Sequence, residues 1–293
     1  MPVKTFQILS DFTCDLSPAL VAAADVHIIP MLYTVNGRDY LGDPAESQLS
    51  AHDFYELVRA GAMPTTAQIN GETFKQNARP YLEQGLDVLY LAFSSGLSGT
   101  CHACQLAAQA LQEKYPQRTV RVVDTLGASM GEGLLVYLAC REQQKGASLA
   151  EVAAWTEENR LSLAHWFTVD DLHHLYRGGR VSRTAAFLGT MMNIKPVLHV
   201  DNDGRLIPME KVRGRRQSLD ALVEHMRAAA VNPAAQTVFI SHGDCPADAA
   251  YVEQQVREKL GVRTVYTNAI GPVIGAHSGP GTVALFFLAS TRG

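Results

Sequence analysis

Val88-Leu89-Tyr90-Leu91-Ala92-Phe93 runs directly into Ser94-Ser95-Gly96-Leu97-Ser98-Gly99-Thr100, and this stretch decides the fold. An unbroken apolar run is the pattern of a strand buried on both faces, as in the interior of a parallel sheet. The Ser/Gly run after it is a turn. Gly99 to Glu113 then reads as a helix with Cys104, Ala107, Ala108 and Leu111 on one face. Strand, turn and helix make half of a βαβ unit, so the flanking sequence should alternate in the same way. Phe6 to Leu9 and Val26 to Leu32 read as strands. Between them the polar turn of Asp11, Thr13 and Asp15 leads to a helix from Ser17-Pro18 to Ala24, with proline at the first helical position. Ser50 caps a helix from His52 to Ala60. Val120 to Val123 is a further strand, Ser129 to Lys145 a further helix, and Ser148 caps a last one reaching Asn159.

Near residue 160 the rhythm changes. A polar segment carries His165, His173 and His174, and a turn falls at Gly178-Gly179. Strands are predicted at Pro196 to Val200, Thr237 to Ser241 and Thr264 to Asn268, with helices over Ser218 to Ala230 and Pro246 to Leu260. Leu206 to Lys211 follows the Asp201-Asn202-Asp203-Gly204 turn as a hairpin arm. The expectation is two α/β domains: an N-terminal α/β/α sandwich over 1–160 and a C-terminal α/β domain over 161–293.

Composition narrows the class. Of the 293 residues, 47% are hydrophobic and 18% are charged, against a typical charged share of about 25%. Disorder needs the opposite balance. A net charge of −4, from 25 basic and 29 acidic residues, gives no general attraction for nucleic acid. Apolar runs such as Val283 to Ala289 fall short of the ~20 residues of a spanning helix. The opening Met1-Pro-Val-Lys-Thr-Phe-Gln-Ile-Leu-Ser10 lacks a signal-peptide pattern. Cys14, Cys101, Cys104, Cys140 and Cys245 are odd in number and without framework spacing, which predicts reduced thiols in a cytoplasmic protein.

Several segments carry possible chemistry. Ser94 to Thr100 lies at the carboxyl end of a buried strand, where α/β sheets bind ligands, and free N–H groups with hydroxyls suit an anion. The plainer reading is turn and cap chemistry. Pro64-Thr65-Thr66-Ala67-Gln68 is a second hydroxyl-rich loop. Gly127-Ala128-Ser129-Met130-Gly131 matches the G-x-S-x-G elbow of serine hydrolases; Asp201, Asp203 or Asp244 and then His277 would complete the order. Small residues at a helix start are the plainer reading. Cys101-His102-Ala103-Cys104 is a C-x-x-C, with two small inward residues as the alternative to redox activity. No second cysteine pair and no H-E-x-x-H is present, so no metal site is expected. Arg177-Gly178-Gly179-Arg180 and Lys211 to Arg216 are basic clusters suited to phosphate, carboxylate or an acidic partner, or simply solvated. In Gly271 to Gly281 a single His277 sits among glycines and prolines, in a rigid loop that lets backbone approach a ligand.

Taken together, these segments resemble the DegV family of fatty-acid-binding proteins. The resemblance rests on Ser10-Asp11-Phe12-Thr13-Cys14-Asp15, Thr66-Ala67-Gln68, Ser94 to Thr100, Arg177 to Ser182, Ile194-Lys195-Pro196 and Ile274 to Gly281, in that order along nearly the whole chain. It implies a long-chain fatty acid held in an apolar tunnel between two α/β domains, with no other cofactor. It further implies that Thr66, Ser98 with Gly99, and His277 hold the carboxylate, supported by Ser94, Ser95, Gly275 and Gly279. Arg180 and Arg213 match positions implicated in contact with phosphate or a partner. That partner would be a separate ATP-dependent fatty acid kinase subunit forming an acyl phosphate, with this chain a non-catalytic carrier. A monomer is the default expectation, and transient contact with a membrane surface is compatible with it. The sequence departs from the family pattern twice: Ala67 stands for a serine and Ile69 for a proline. No Walker-type G-x-x-x-x-G-K-[ST] occurs, so catalysis is expected in the partner. The alternatives are a serine hydrolase using Ser129 and His277, and a lipid carrier or sensor without a kinase.

Overall fold

A computed structural model describes residues 4–46, 48–170, 172–182 and 193–292. The first half runs β1 (Phe6–Asp11), α1 (Pro18–Ala24), β2 (His27–Ile29), β3 (Met31–Val35), β4 (Arg38–Gly42), α2 (Ala51–Arg59) and β5 (Thr65–Thr66). It continues through α3 (Gly71–Glu83), β6 (Asp87–Ala92), α4 (Thr100–Lys114), β7 (Val120–Asp124), α5 (Ser129–Gln144) and α6 (Leu149–Asn159). The second half has β8 (Leu163–Thr168), α7 (His173–Arg177), β9 (Ile194–Val200), β10 (Leu206–Arg213), α8 (Arg215–Ala229) and β11 (Thr237–His242). It ends with α9 (Pro246–Leu260), β12 (Thr264–Ala269), α10 (Pro272–Ser278) and β13 (Val283–Leu288).

The opening strand sits where its composition requires. β6 lies inside a parallel sheet of order β2-β1-β6-β7, and Val88 to Ala92 are fully buried. Helices cover both faces, α3 and α4 on one and α1, α5 and α6 on the other. A small antiparallel sheet, β4-β3-β5, turns at Asn36-Gly37, both in the left-handed region that two-residue hairpins favour. Strands after residue 160 form a six-stranded mixed sheet of order β10-β9-β8-β13-β11-β12. One face packs on α8 and α9; the other turns toward α5.

That position makes α5 unusual. It is buried on every side from Ser129 to Val136, because it is wedged between the two main sheets. A helix buried all round needs small residues where neighbours approach closely. A Cβ at Gly133 would lie 2.5 Å from the Cys14 carbonyl, and one at Gly131 would collide with His165 and press on Phe286.

Several readings of the sequence change, β4, β5 and α7 among the elements it did not anticipate. The predicted strand Val26 to Leu32 breaks at Pro30 into β2 and β3, which belong to different sheets. The polar segment around His165 is a wholly buried strand, β8. The Gly/Pro loop around His277 is a helix, α10, started by Pro272 and closed by Gly279 at φ 79°. Helix α3, capped by Asn70, was not anticipated. Nor was β13, the Val283 to Ala289 run weighed only for membrane insertion; it lies inside the mixed sheet.

Candidate functional site

A cavity of about 530 Å³ lies between the parallel and mixed sheets, a size typical of small-molecule sites. Its walls are apolar: Met31 and Phe93 from the first half, Phe167, Val273, Ala284 and Phe286 from the second. Ala67, Gln68 and Gly99 line it and are exposed, so this rim meets solvent.

Thr66, Ser98, Gly99, His277 and Arg180 all line the same cavity. Thr66 is held by pairing of β5 with β3, and Ala67 N donates to Leu32 O at 3.0 Å. His277 projects from α10, and its Nε2 lies 2.9 Å from Thr66 Oγ1. Burial, then the charges of Arg180 and Arg177, push its pKa down to about 4, so the ring is neutral at pH 7. Its Nδ1 is buried without a partner among the described residues, close against Gly178. The ring proton therefore belongs on Nε2, donating to Thr66, which leaves the Thr66 O–H free to donate outward. The second hydroxyl is arranged alike. Ile69 N donates to Thr100 Oγ1 at 3.2 Å, and Thr100 Oγ1 lies 3.0 Å from Ser98 Oγ. A Thr100 O–H spent on Ser98 frees the Ser98 O–H. Two hydroxyls that line one cavity, each backed by a donor, are an arrangement suited to an anion. Ile69 supplies an N–H that a proline there would lack. Arg180 donates to Leu97 O at 3.2 Å and to Gly178 O, which fixes its guanidinium beside the rim.

Other expected residues fall outside the cavity lining. Ser94 is buried and donates to Gly204 O at 2.8 Å, tying the loop to the β9–β10 turn. Ser95 N donates to Asp124 at 3.2 Å. Gly275 lets α10 approach Tyr55, and Gly279 lets it approach His174. These are packing roles around the rim. Arg213 sits at the opposite end of the β9–β10 hairpin from the cavity residues Val200 and Leu206. Cys101 and Cys104 are both buried, and burial pushes their thiols up to about 12, the reverse of what redox chemistry needs.

Below the cavity lies a carboxyl cluster that the sequence did not reveal. Asp11, fully buried, accepts from Thr13 N at 3.0 Å, Thr13 Oγ1, Tyr90 OH at 2.7 Å and Phe93 N at 3.2 Å. Glu132 on α5 contacts Thr13 Oγ1 at 2.8 Å and Ser10 Oγ at 3.2 Å. Thr13 has one hydroxyl proton for two carboxyl oxygens, so one acid must supply the other. Burial raises the Asp11 pKa as well, against its hydrogen bonds from Thr13, Tyr90 and Phe93, but four donors on its two oxygens are those of a carboxylate and assign the shared proton to Glu132. Burial, then the charge of Asp11, raises the Glu132 pKa well above its ordinary value.

Ser129 bears on the hydrolase reading. It has the sharp turn of an elbow, at φ 53°, but its Oγ lies 2.6 Å from Asp15 Oδ2 and 3.0 Å from Ser241 Oγ. No His277 contact is made to it; His277 is committed to Thr66. Burial raises Asp15 to about 8, against the hydrogen bonds from Ser129 and Gly271. Folded Asp15 thus keeps its proton up to about pH 8, whereas the unfolded carboxyl loses it near 3.8. The folded state binds more protons in that window, so this group's stabilisation is lost as pH rises through it. Asp15→Asn, which mimics the neutral acid, should flatten that slope in denaturant titrations between pH 5 and 9. An unchanged slope would show that Asp15 is ionised in the fold.

The fold and cavity define the class: a two-domain α/β protein with an apolar chamber between the domains and a hydroxyl-lined rim. A family model for the uncharacterised proteins of the DegV family matches residues 5–290. A DegV domain-containing protein of Clostridium perfringens is 42% identical over 290 residues, covering 99% of both chains. Among solved structures, a DegV family protein of Thermus thermophilus, described for its fatty acid binding, matches with TM-score 0.85 and 33% identity. The match covers 97% of this chain and 99% of that one. A DegV lipid-binding protein of Thermotoga maritima matches with TM-score 0.85 and 30% identity, over 99% and 100%. The chain belongs to the DegV family.

Proposed function

We propose that the protein binds a long-chain fatty acid in the apolar cavity and presents its carboxylate at the rim to a separate ATP-dependent kinase subunit. The observation that carries this is one chamber with apolar walls and a rim where Thr66 and Ser98 offer backed hydroxyls beside Arg180. Each buried methylene contributes about 0.8 kcal/mol, so an acyl chain binds well in such a chamber. A desolvated carboxylate needs donors, which the two hydroxyls supply. Fatty acid and lipid binding by the Thermus and Thermotoga proteins supports the reading.

In the kinase step a carboxylate oxygen takes the γ-phosphoryl group of ATP and ADP leaves. This chain's share is to hold the carboxylate at the exposed rim; Arg180 is placed to steady the added charge. Arg213, outside the chamber lining, is left for contact with phosphate or the partner. The reading includes a monomeric cytoplasmic carrier with its domain boundary near residue 160. Transient contact with a membrane surface is compatible with it; among the described residues no helix is long and apolar enough to cross a membrane.

Native mass spectrometry of the purified protein tests the core. A bound fatty acid mass is expected. Protein that emerges empty and fails to bind added oleate or palmitate would refute it. Binding without acyl phosphate formation by any cognate kinase with ATP would favour the carrier or sensor, and fluorophosphonate labelling of Ser129 the hydrolase.

A further inference from the structure

His277 backs Thr66 at the rim, and the place of His277 is set by the helix that carries it. α10 lines the chamber along its length, through Val273, Ile274, His277 and Ser278. Gly271, the residue before it, donates its N–H to Asp15 Oδ1 at 2.8 Å. The Gly271 carbonyl in turn accepts the first bond of the helix, from Gly275 N at 2.8 Å. His277 lies six residues on, about 9 Å along the axis at 1.5 Å per residue. A tilt of about 6° at Gly271 would move it by about 1 Å, enough to break its 2.9 Å contact with Thr66 Oγ1.

Asp15 is fixed from the other side. It is 6% exposed and lies in the turn after β1, in the left-handed region at φ 51°. Its Oδ2 lies 2.6 Å from Ser129 Oγ, on the helix wedged between the sheets, and Ser129 Oγ lies 3.0 Å from Ser241 Oγ. Asn268 Nδ2 donates to the Asp15 carbonyl at 2.8 Å, which anchors the backbone of the turn. The Asp15 carboxyl therefore spans from α5 to the start of α10. It does so without slack, because a Cβ on Gly271 would lie 2.8 Å from Oδ1. Tyr55 OH donates to Ile270 O at 3.1 Å, which holds the preceding residue and leaves the Gly271 N–H to Asp15. A buried carboxyl is costly to place here, and an apolar side chain would fill the space without offering Gly271 an acceptor.

We propose that Asp15 is a positioning residue for the carboxylate site: its hold on Gly271 places α10 so that His277 meets Thr66. This rests on the fatty-acid reading and gives the opening Ser10 to Asp15 segment a part in binding that the rim alone does not. Neutral at pH 7, Asp15 accepts from Gly271 and donates to Ser129 at once. An asparagine can do the same, with its oxygen on Gly271 and its amide on Ser129. Glycine accepts a φ of 51° but offers neither group.

The test compares wild type, Asp15→Asn and Asp15→Gly in two measurements. The first is the His277 ring N–H, observed by proton–nitrogen NMR on ligand-free protein with labelled histidine and identified by its absence in His277→Ala. It should be slowed in exchange by Thr66 in wild type and in Asp15→Asn. In Asp15→Gly it should exchange as fast as in Thr66→Ala. The second is displacement of a fluorescent fatty acid, in which Asp15→Gly should bind about fivefold more weakly and Asp15→Asn within about twofold of wild type. Gly271→Ala presses on the same bond from the helix side and should reproduce the Asp15→Gly result, so the outcome is decided even where Asp15→Gly does not fold. A His277 signal unchanged in Asp15→Gly and in Gly271→Ala would overturn the assignment, and so would its loss in Asp15→Asn. If Asp15→Gly weakens binding as much in a His277→Ala background as in wild type, the carboxyl acts on the chamber wall and the assignment falls. If wild type binds no fatty acid, the fatty-acid reading falls, while the NMR signal, read without ligand, still decides whether Asp15 places His277.

Discussion

Thr66→Ala is expected to weaken fatty acid binding by about 2 kcal/mol, roughly thirtyfold, the cost of leaving a charged acceptor one hydrogen bond short. Removing Ser98 as well should bring the loss to several hundredfold if the two hydroxyls act independently. His277→Ala acts one bond further out. It removes the donor behind Thr66, so its effect should be smaller than that of Thr66→Ala, and the double variant should lose less than the sum. Displacement of a fluorescent fatty acid measures all of these. Wild-type affinity in Thr66→Ala would remove this hydroxyl from the headgroup role. With a cognate kinase and ATP, the same variants should lose acyl phosphate formation. The pH response follows in part from His277: with its pKa near 4, the ring keeps one protonation state at pH 6 to 7, so binding should be flat over that interval.

The second large effect is on stability. Asp11→Asn should cost about 3–4 kcal/mol, whereas Glu132→Gln should cost about 1 or less. The two substitutions look alike in sequence, and each removes a charge or a proton from a buried carboxyl. They differ because Asp11 receives donors on both oxygens. An asparagine amide turns one of those acceptors into a donor facing donors, and buried charge-assisted bonds are lost with it. Glu132 already acts as a neutral acid between two hydroxyls, which a glutamine amide can replace. Urea unfolding of both variants decides. A larger loss in Glu132→Gln than in Asp11→Asn would mean that the proton sits on Asp11 instead, and equal losses would refute the assignment.

The fold was legible where composition and period agreed. Val88 to Phe93 is apolar throughout because both faces are covered, and Ser148 to Asn159 has its cap and capping-box glutamate in sequence. It was illegible where burial contradicts side-chain character. In β8, His165 and Trp166 look like surface chemistry, yet the strand is buried on both faces between α8 and α5. Around His277, closely spaced glycine and proline read as a loop, although proline starts a helix as readily as it breaks one. For the site, the hydroxyl loops and His277 could be named because each is local in sequence. The carboxyl floor could not: Ser10, Asp11 and Thr13 meet Glu132 only through the wedging of α5 between sheets.

The position of β13 carries one more consequence. It is the last of the described strands in chain order, yet it lies between β8 and β11, inside the mixed sheet. It also supplies Ala284 and Phe286 to the chamber wall. While the protein is being made, β8 to β10 and β11 to β12 therefore wait as two half-sheets with no shared neighbour. The chamber exists only after Val283 to Leu288 has left the ribosome and inserted. A ligand that needs the whole chamber can enter only after that insertion, and a nascent chain stalled before Val283 is a species with exposed strand edges.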